Sequence, residues 1–221
     1  MALPVLIMGR SGSGKTYSLK NFSPDEIGII SVEKQRLPFK SELKVARIPK
    51  AFNSPEEKSS YSALNRAKYA WIEGVIAKAK TPSIAIDDSQ FLLVDEMFDR
   101  ASEKGYDKFT EIAHNFQHLI HFVNDLEDEN NKIVYFLHHS EDGTDGRQKC
   151  KTIGRMLDEK LVIESLFDIV IYCEDHRFFT QANSTSTAKS PEDMFPDIEI
   201  PNDLKAVDAI IREYYGMKTN K

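Results

Sequence analysis

Residues 3–16 read Leu-Pro-Val-Leu-Ile-Met-Gly-Arg-Ser-Gly-Ser-Gly-Lys-Thr, and they constrain the fold more than any other stretch. A short apolar run enters a glycine-rich loop, the loop closes on Lys-Thr, and a helix-compatible segment follows. This is the pattern G-x-x-x-x-G-K-[ST] in a strand-before, helix-after context. Gly9, Gly12 and Gly14 let the backbone curl with its N–H groups turned inward. Those groups and the positive end of the following helix make a cradle for phosphate oxygens. Lys15 is expected to reach the β- and γ-phosphates of a nucleotide, and the Thr16 hydroxyl to ligate Mg²⁺. The expected nucleotide contacts are Gly9, Arg10, Ser11, Gly12, Ser13, Gly14, Lys15, Thr16 and Tyr17.

The 221 residues, 41% hydrophobic and 29% charged, suit one α/β domain spanning 1–221. No apolar run approaches the length of a membrane span. The net charge of −6 argues against a wholly basic surface but leaves room for a local basic groove. Cys150 and Cys173 lie far apart without metal-type spacing and read as two reduced thiols. The first strand starts near residue 3, which leaves no room for a signal peptide and points to a cytoplasmic protein.

The rest of the chain alternates apolar strands with amphipathic helices. A short helix from Tyr17 to about residue 21 precedes a strand at 28–32 that ends on Glu33. Residues 34–60, interrupted by Pro38, Pro49 and Pro55, read as a polar insertion with one short strand at 44–48. A helix is expected over 62–79, from Leu64, Ala67, Trp71 and Val75 at spacings of three and four. A strand at 83–88 follows, then helices at 91–99 and from about 107 to 126. A fourth strand covers 132–138, and polar residues 141–151 read as a mobile loop. A helix at 155–166, a strand at 167–173, a hairpin strand at 177–181 and a C-terminal helix at about 202–215 complete the chain. This alternation predicts a mostly parallel sheet covered by helices on both faces, with its ligand beyond the carboxyl ends of the strands.

The polar residues that end strands are therefore the ones to follow. Ile84-Ala85-Ile86-Asp87-Asp88 has the form of a Walker B element. Asp87, directly after the apolar run, is assigned to the Mg²⁺ shell beside Thr16. Candidates to orient or deprotonate the attacking water are Glu33, which is preferred for its reach and its place on a neighbouring strand, and Asp88. His138 ends the next strand and is placed to sense the γ-phosphate. His138-His139 has no third ligand nearby and is not read as a metal site. Arg147, Lys149, Lys151 and Arg155 put four cations into nine residues, a candidate contact for nucleic-acid phosphates.

With these residues placed, the chain resembles the phage-encoded RecA-like, or AAA-type, P-loop nucleotide-binding proteins, several of which act in phage recombination with single-stranded DNA. The resemblance rests on residues 9–16 and 84–89, with Glu33 and the late segment 188–196 in support. It implies a RecA-like P-loop NTPase fold, ATP and Mg²⁺ as ligands, and catalytic roles for Lys15, Glu33, Asp88 and His138. It also implies a homo-oligomer in which Lys189 completes a neighbour's site, a single-stranded DNA or single-strand-binding partner, no membrane, and the bacterial host's cytoplasm. Two departures stand out: one late lysine replaces the usual paired cations, and the second strand ends Ser31-Val32-Glu33 rather than in an Asp-x-Glu sequence. Two other functions fit the same residues. One is a small-molecule P-loop kinase with the Arg147 to Arg155 loop as its lid; the other is a nucleotide-binding module that regulates a partner without turnover.

Overall fold

The computed structural model describes residues 1–53, 60–127, 131–158 and 161–217. One sheet carries nine strands: β1 (Leu3–Gly9), β2 (Ile27–Ser31), β3 (Lys44–Arg47), β4 (Ser83–Asp87), β5 (Ile133–Asp142), β6 (Gln148–Cys150), β7 (Ile169–Glu174), β8 (Arg177–Phe179) and β9 (Glu199–Pro201). Their order is β3-β2-β4-β5-β1-β7-β8-β9, with β6 paired to β5 beyond the parallel part. The six strands from β3 to β7 in that order run parallel, and β8 and β9 close the far edge antiparallel.

The parallel strands are apolar on both faces because both faces are covered. Successive side chains alternate across the sheet. Leu6, Met8, Ile84, Ile86, Val134 and Phe136 pack on one side against α1 (Tyr61–Lys78), α2 (Phe91–Asp99) and α3 (Asp107–Asp125). Val5, Ile7, Ala85, Ile133, Tyr135 and Leu137 pack on the other side. There they meet the single-turn 3-10 helix Thr16–Asn21 and the C-terminal helix, with Leu19, Leu204, Val207 and Ile211 fully enclosed.

The C-terminal helix is anchored by polar groups as well as by its apolar stripe. The Asp203 carboxylate caps it, accepting from the backbone N–H groups of Lys205 and Ala206. Asp208 accepts from the Tyr135 hydroxyl at 2.9 Å and from Arg212 Nε at 2.6 Å, and also pairs with the Ser83 hydroxyl. Arg212 further donates to the carbonyls of Pro82 and Asn131. This buried network pins the helix to the starts of β4 and β5.

Three stretches depart from the sequence reading, while the short strand expected at 44–48 is present. Residues 141–151, expected to be a mobile loop, instead extend β5 to Asp142 and fold back through β6 as an antiparallel hairpin. Polar composition hid it, because its strands pair beyond the core. The helix expected over 155–166 is split into α4 (Arg155–Asp158) and a separate 3-10 turn, Ile163–Leu166. Val162 is extended (φ −93°, ψ 101°) and interrupts it. Strand β9, only three residues long and ending on Pro201, was not anticipated. The segment read as a polar insertion contributes the edge strand β3 and a 3-10 turn, Lys50–Asn53, while its residues 54–59 lie outside the described residues. The C-terminal helix, labelled α5 from here on, spans Leu204–Tyr214 within the expected range.

Candidate active site

The carboxyl ends of β1, β2, β4 and β5 meet at one sheet edge. The registers pair Gly9 with His139 and Ser31 with Asp87, so the glycine loop, the carboxylates after β4 and the end of β2 face a common cleft. The loop needs its glycines. A Cβ on Gly9 would collide with the Cys173 carbonyl, and one on Gly14, which sits at φ +109°, would strike the Asn202 amide.

Lys15 is 5% exposed, and its ammonium curls back to donate to the carbonyls of Gly9 (2.7 Å) and Arg10 (2.9 Å). Burial pushes its pKa down, against the pull of Cys173, Asp88 and Asp87. Among the described residues no carboxylate pairs directly with it. Thr16 donates its hydroxyl to Asp87 Oδ1 at 2.8 Å. Asp87 is 8% exposed, and burial raises its pKa to about 6, with the Thr16 hydrogen bond and Lys15 opposing. The Ser13 hydroxyl is buried without a hydrogen-bond partner.

These features fit a phosphate and a divalent cation. A buried ammonium held only by backbone carbonyls is ready to turn toward an anion. The Thr16–Asp87 pair offers two oxygens, and Mg²⁺ takes its remaining ligands from phosphate and water. No cluster of three or more His, Cys, Asp or Glu side chains that could hold a metal occurs among the described residues. Phosphate oxygens would therefore have to complete the shell.

Asp88 turns the chain at the end of β4 with a left-handed backbone (φ 60°) and accepts from His139 Nε2 at 3.1 Å. The expected position of His138 at the ligand is thereby in question, because it is His139 that contacts a strand-ending carboxylate. His138 is fully enclosed; its Nε2 donates to the Lys151 carbonyl at 2.8 Å, which leaves Nδ1 to accept from the Ser89 hydroxyl at 3.0 Å. Burial drives its pKa down to about 4, so it stays neutral. It makes no hydrogen bond to the carboxylates that end β4, whereas its neighbour His139 reaches Asp88. Glu33 lies just past β2, half-buried, with its pKa raised by burial and by Asp95 and Asp88.

Comparison with protein-family models and with curated proteins finds no match for this chain.

The cleft itself measures about 410 Å³ and is lined by Gly12, Lys15, Thr16, Asp87, Tyr17 and His176, together with Gln35, Arg36 and Pro38. Tyr17 meets His176 edge to face at 5.4 Å and Phe39 at 6.2 Å. His176 occupies the β7–β8 turn with a left-handed backbone and donates its N–H to the Ser13 carbonyl at 3.0 Å. Asn202 donates to the Gly14 carbonyl at 3.0 Å. Neither was expected at the site, and no local signal marks them, because a turn histidine and a residue before a helix cap are ordinary in sequence. Arg36 also went unnoticed, in a stretch with no periodicity.

Other expected contacts lie elsewhere. Arg10 faces away from the loop mouth and reaches the β5–β6 hairpin, donating to Asp142 at 2.5 Å. Ser11 is exposed at the loop tip. In the basic stretch, Arg147 is paired with Asp145 and Lys149 with Asp158 and Glu141. Lys189 is exposed, and its backbone pairs with Val170, which lies beside Leu6, three residues before the loop.

Proposed function

We propose that this chain is a RecA-like P-loop ATPase that binds ATP with Mg²⁺ at residues 9–17 and hydrolyses it, as part of a homo-oligomer acting on single-stranded DNA in phage recombination or replication. The observation that carries the reading is the juxtaposition of a buried Lys15 with the Thr16–Asp87 hydrogen bond at one sheet edge. Two segments 71 residues apart in sequence converge on the chemistry that the glycine loop alone only suggests.

In this reading Lys15 leaves the carbonyls of Gly9 and Arg10 and places its charge on the phosphates. Thr16 and Asp87 hold the cation, which when bound neutralises charge developing on the transferred phosphoryl group. Ionised Asp87 is needed for that, and cation binding overcomes the burial that raises its pKa. Glu33 is the preferred water-activating group. Its carboxylate is made more basic by burial and by Asp95 and Asp88, whereas Asp88 is already engaged by His139. His139, rather than His138, is then the side chain placed to respond to the γ-phosphate through Asp88. The β5–β6 hairpin weakens the kinase alternative. A lid needs cations left available to close over a phosphoryl donor, and two of its four are held by carboxylates.

ATP hydrolysis measured with and without single-stranded DNA, alongside sizing with and without nucleotide, tests the proposal. DNA-stimulated turnover and nucleotide-dependent assembly support it. Turnover that requires a small acceptor would replace it with the kinase. Glu33→Gln is expected to retain nucleotide binding and lose hydrolysis; if Asp88→Asn does so instead, the base is Asp88.

A further inference from the structure

The cations that remain without ion pairs are concentrated where the sequence reading saw only a polar insertion. Between Glu33 and Lys50 the chain carries Lys34, Arg36, Lys40, Lys44, Arg47 and Lys50 against two carboxylates, Glu33 and Glu42. All six cations are exposed, and none forms an ion pair with a described residue. On a chain of net charge −6 this is a strong local reversal of sign.

The fold gives this charge a shape. Side chains alternate across β3, so Arg47 and Val45 fall on one face of the edge strand while Lys44 and Ala46 fall on the other. On the first face, Arg36 and Arg47 flank a shallow cleft of about 450 Å³ whose apolar floor includes Leu37, Phe39, Leu43 and Val45. On the second face, Lys44 and Lys80 line a groove of about 290 Å³. Charged side chains commonly protect an edge strand from unwanted pairing. That role explains Lys44 and Arg47. It does not explain Lys34, Arg36 and Lys40, which precede the strand, nor an aromatic floor between two guanidinium groups.

We propose that the β2–β3 connection and the outer edge of β3 form the binding surface for a single-stranded nucleic acid. The chemistry selects that partner. Guanidinium and ammonium groups take backbone phosphates, and an apolar floor with the half-buried Phe39 ring takes an unstacked base, a combination that duplex DNA does not present. An acidic peptide would satisfy the cations but make no use of the floor. Arg36 lines both this cleft and the phosphate cleft, and Phe39 touches Tyr17 beside the loop. Nucleotide and strand thus meet on shared residues. The inference builds on the ATPase reading for its biological setting, but the surface stands on its own charge and shape.

The test is fluorescence anisotropy of labelled oligothymidylate across a salt series, with nucleotide binding measured separately on the same samples. Wild-type affinity is expected to fall as salt rises, and the double change Lys44→Glu with Arg47→Glu to lose about tenfold or more. The same change flattens the log–log salt slope by about 1.4, since each lost phosphate contact removes about 0.7 for a single strand. Phe39→Ala is expected to cost roughly tenfold through lost stacking. The charge-reversed protein should elute as the wild type does and bind nucleotide unchanged, which separates this proposal from the ATPase reading. Unaltered oligonucleotide binding in the double variant overturns it. So does an equal or larger loss in Arg147→Glu with Lys149→Glu, polyglutamate binding as tightly as the oligonucleotide, or no oligonucleotide binding by the wild type.

Discussion

Lys15 shows how much a single side chain can be prepared by its surroundings. Its ammonium is desolvated, and its only hydrogen-bond partners are carbonyls of its own loop. Truncating it removes the charge proposed to meet the phosphates and the strut that ties the Gly9 and Arg10 carbonyls together. Lys15→Ala is therefore expected to abolish the stabilisation by Mg²⁺ and ATP seen in a thermal melt. Retained stabilisation would show that the phosphates sit elsewhere. His138 makes a different prediction. Its pKa falls from 6.5 in the unfolded chain to about 4 in the fold. A histidine held neutral by burial stabilises fully above the unfolded value, and that contribution is lost as pH falls toward the folded value. A fall from 6.5 to about 4 amounts to about 3 kcal/mol. Between pH 6.5 and 4, wild-type stability in urea should therefore fall by up to about this much more than that of His138→Gln. Equal slopes would place the histidine's charge elsewhere. Asp87, with its raised pKa, works in the opposite sense over nearly the same window, so only the difference between the two proteins isolates His138.

The same pair of residues marks the boundary of what the sequence makes legible. The phosphate loop could be read because its information is local: glycine spacing, Lys and Thr within eight residues. Asp87 could be read because an apolar strand ends on it. Which of two adjacent histidines faces the cleft depends on the phase of β5 against its neighbours, and no local pattern fixes that phase.

Elements follow a similar rule. Helices α1, α2 and α3 lie within a residue or two of their expected bounds; α3 buries the stripe seen in the sequence, whereas α1 buries the face of Asn65, Lys68, Tyr69, Ile72 and Ile76 and leaves Ala67 of its expected stripe exposed. The β5–β6 hairpin and β9 did not show, because β6 and β9 are three residues long and bury too few apolar side chains, Cys150 and Ile200, to make a pattern. Helix α5 is held by chemistry that its stripe does not reveal. Asp208 is the hub joining Ser83, Tyr135 and Arg212, and removing it leaves a buried guanidinium without its carboxylate. Asp208→Ala is expected to destabilise the fold by about 3–5 kcal/mol, measured by urea unfolding. Asp203→Ala, which removes the helix cap and an exposed hydrogen bond from Asn21, should cost about 1 kcal/mol. Comparable losses from both would show that the network is no more than surface pairing.

At the scale of the whole molecule, no described helix is long and apolar enough to cross a membrane. The sheet is organised around β1, which lies between β5 and β7. A ligand seated at the end of β1 touches groups contributed by several elements, and its binding free energy adds to global stability. With nucleotide at about a hundred times its dissociation constant, the gain should be about 2.7 kcal/mol. A melt that does not shift with nucleotide would remove the site from the proposal.

The Asn202 hydrogen bond to Gly14 spans 188 residues, and the Gly9 cradle also abuts Cys173. Strand β1 gains both its sheet neighbours late, since β5 and β7 are made more than a hundred residues after it. A nascent chain can display the glycine loop long before anything supports it. Synthesis therefore imposes an order: the contacts that shape the glycine loop are complete only after Cys173 and Asn202 have both emerged and docked.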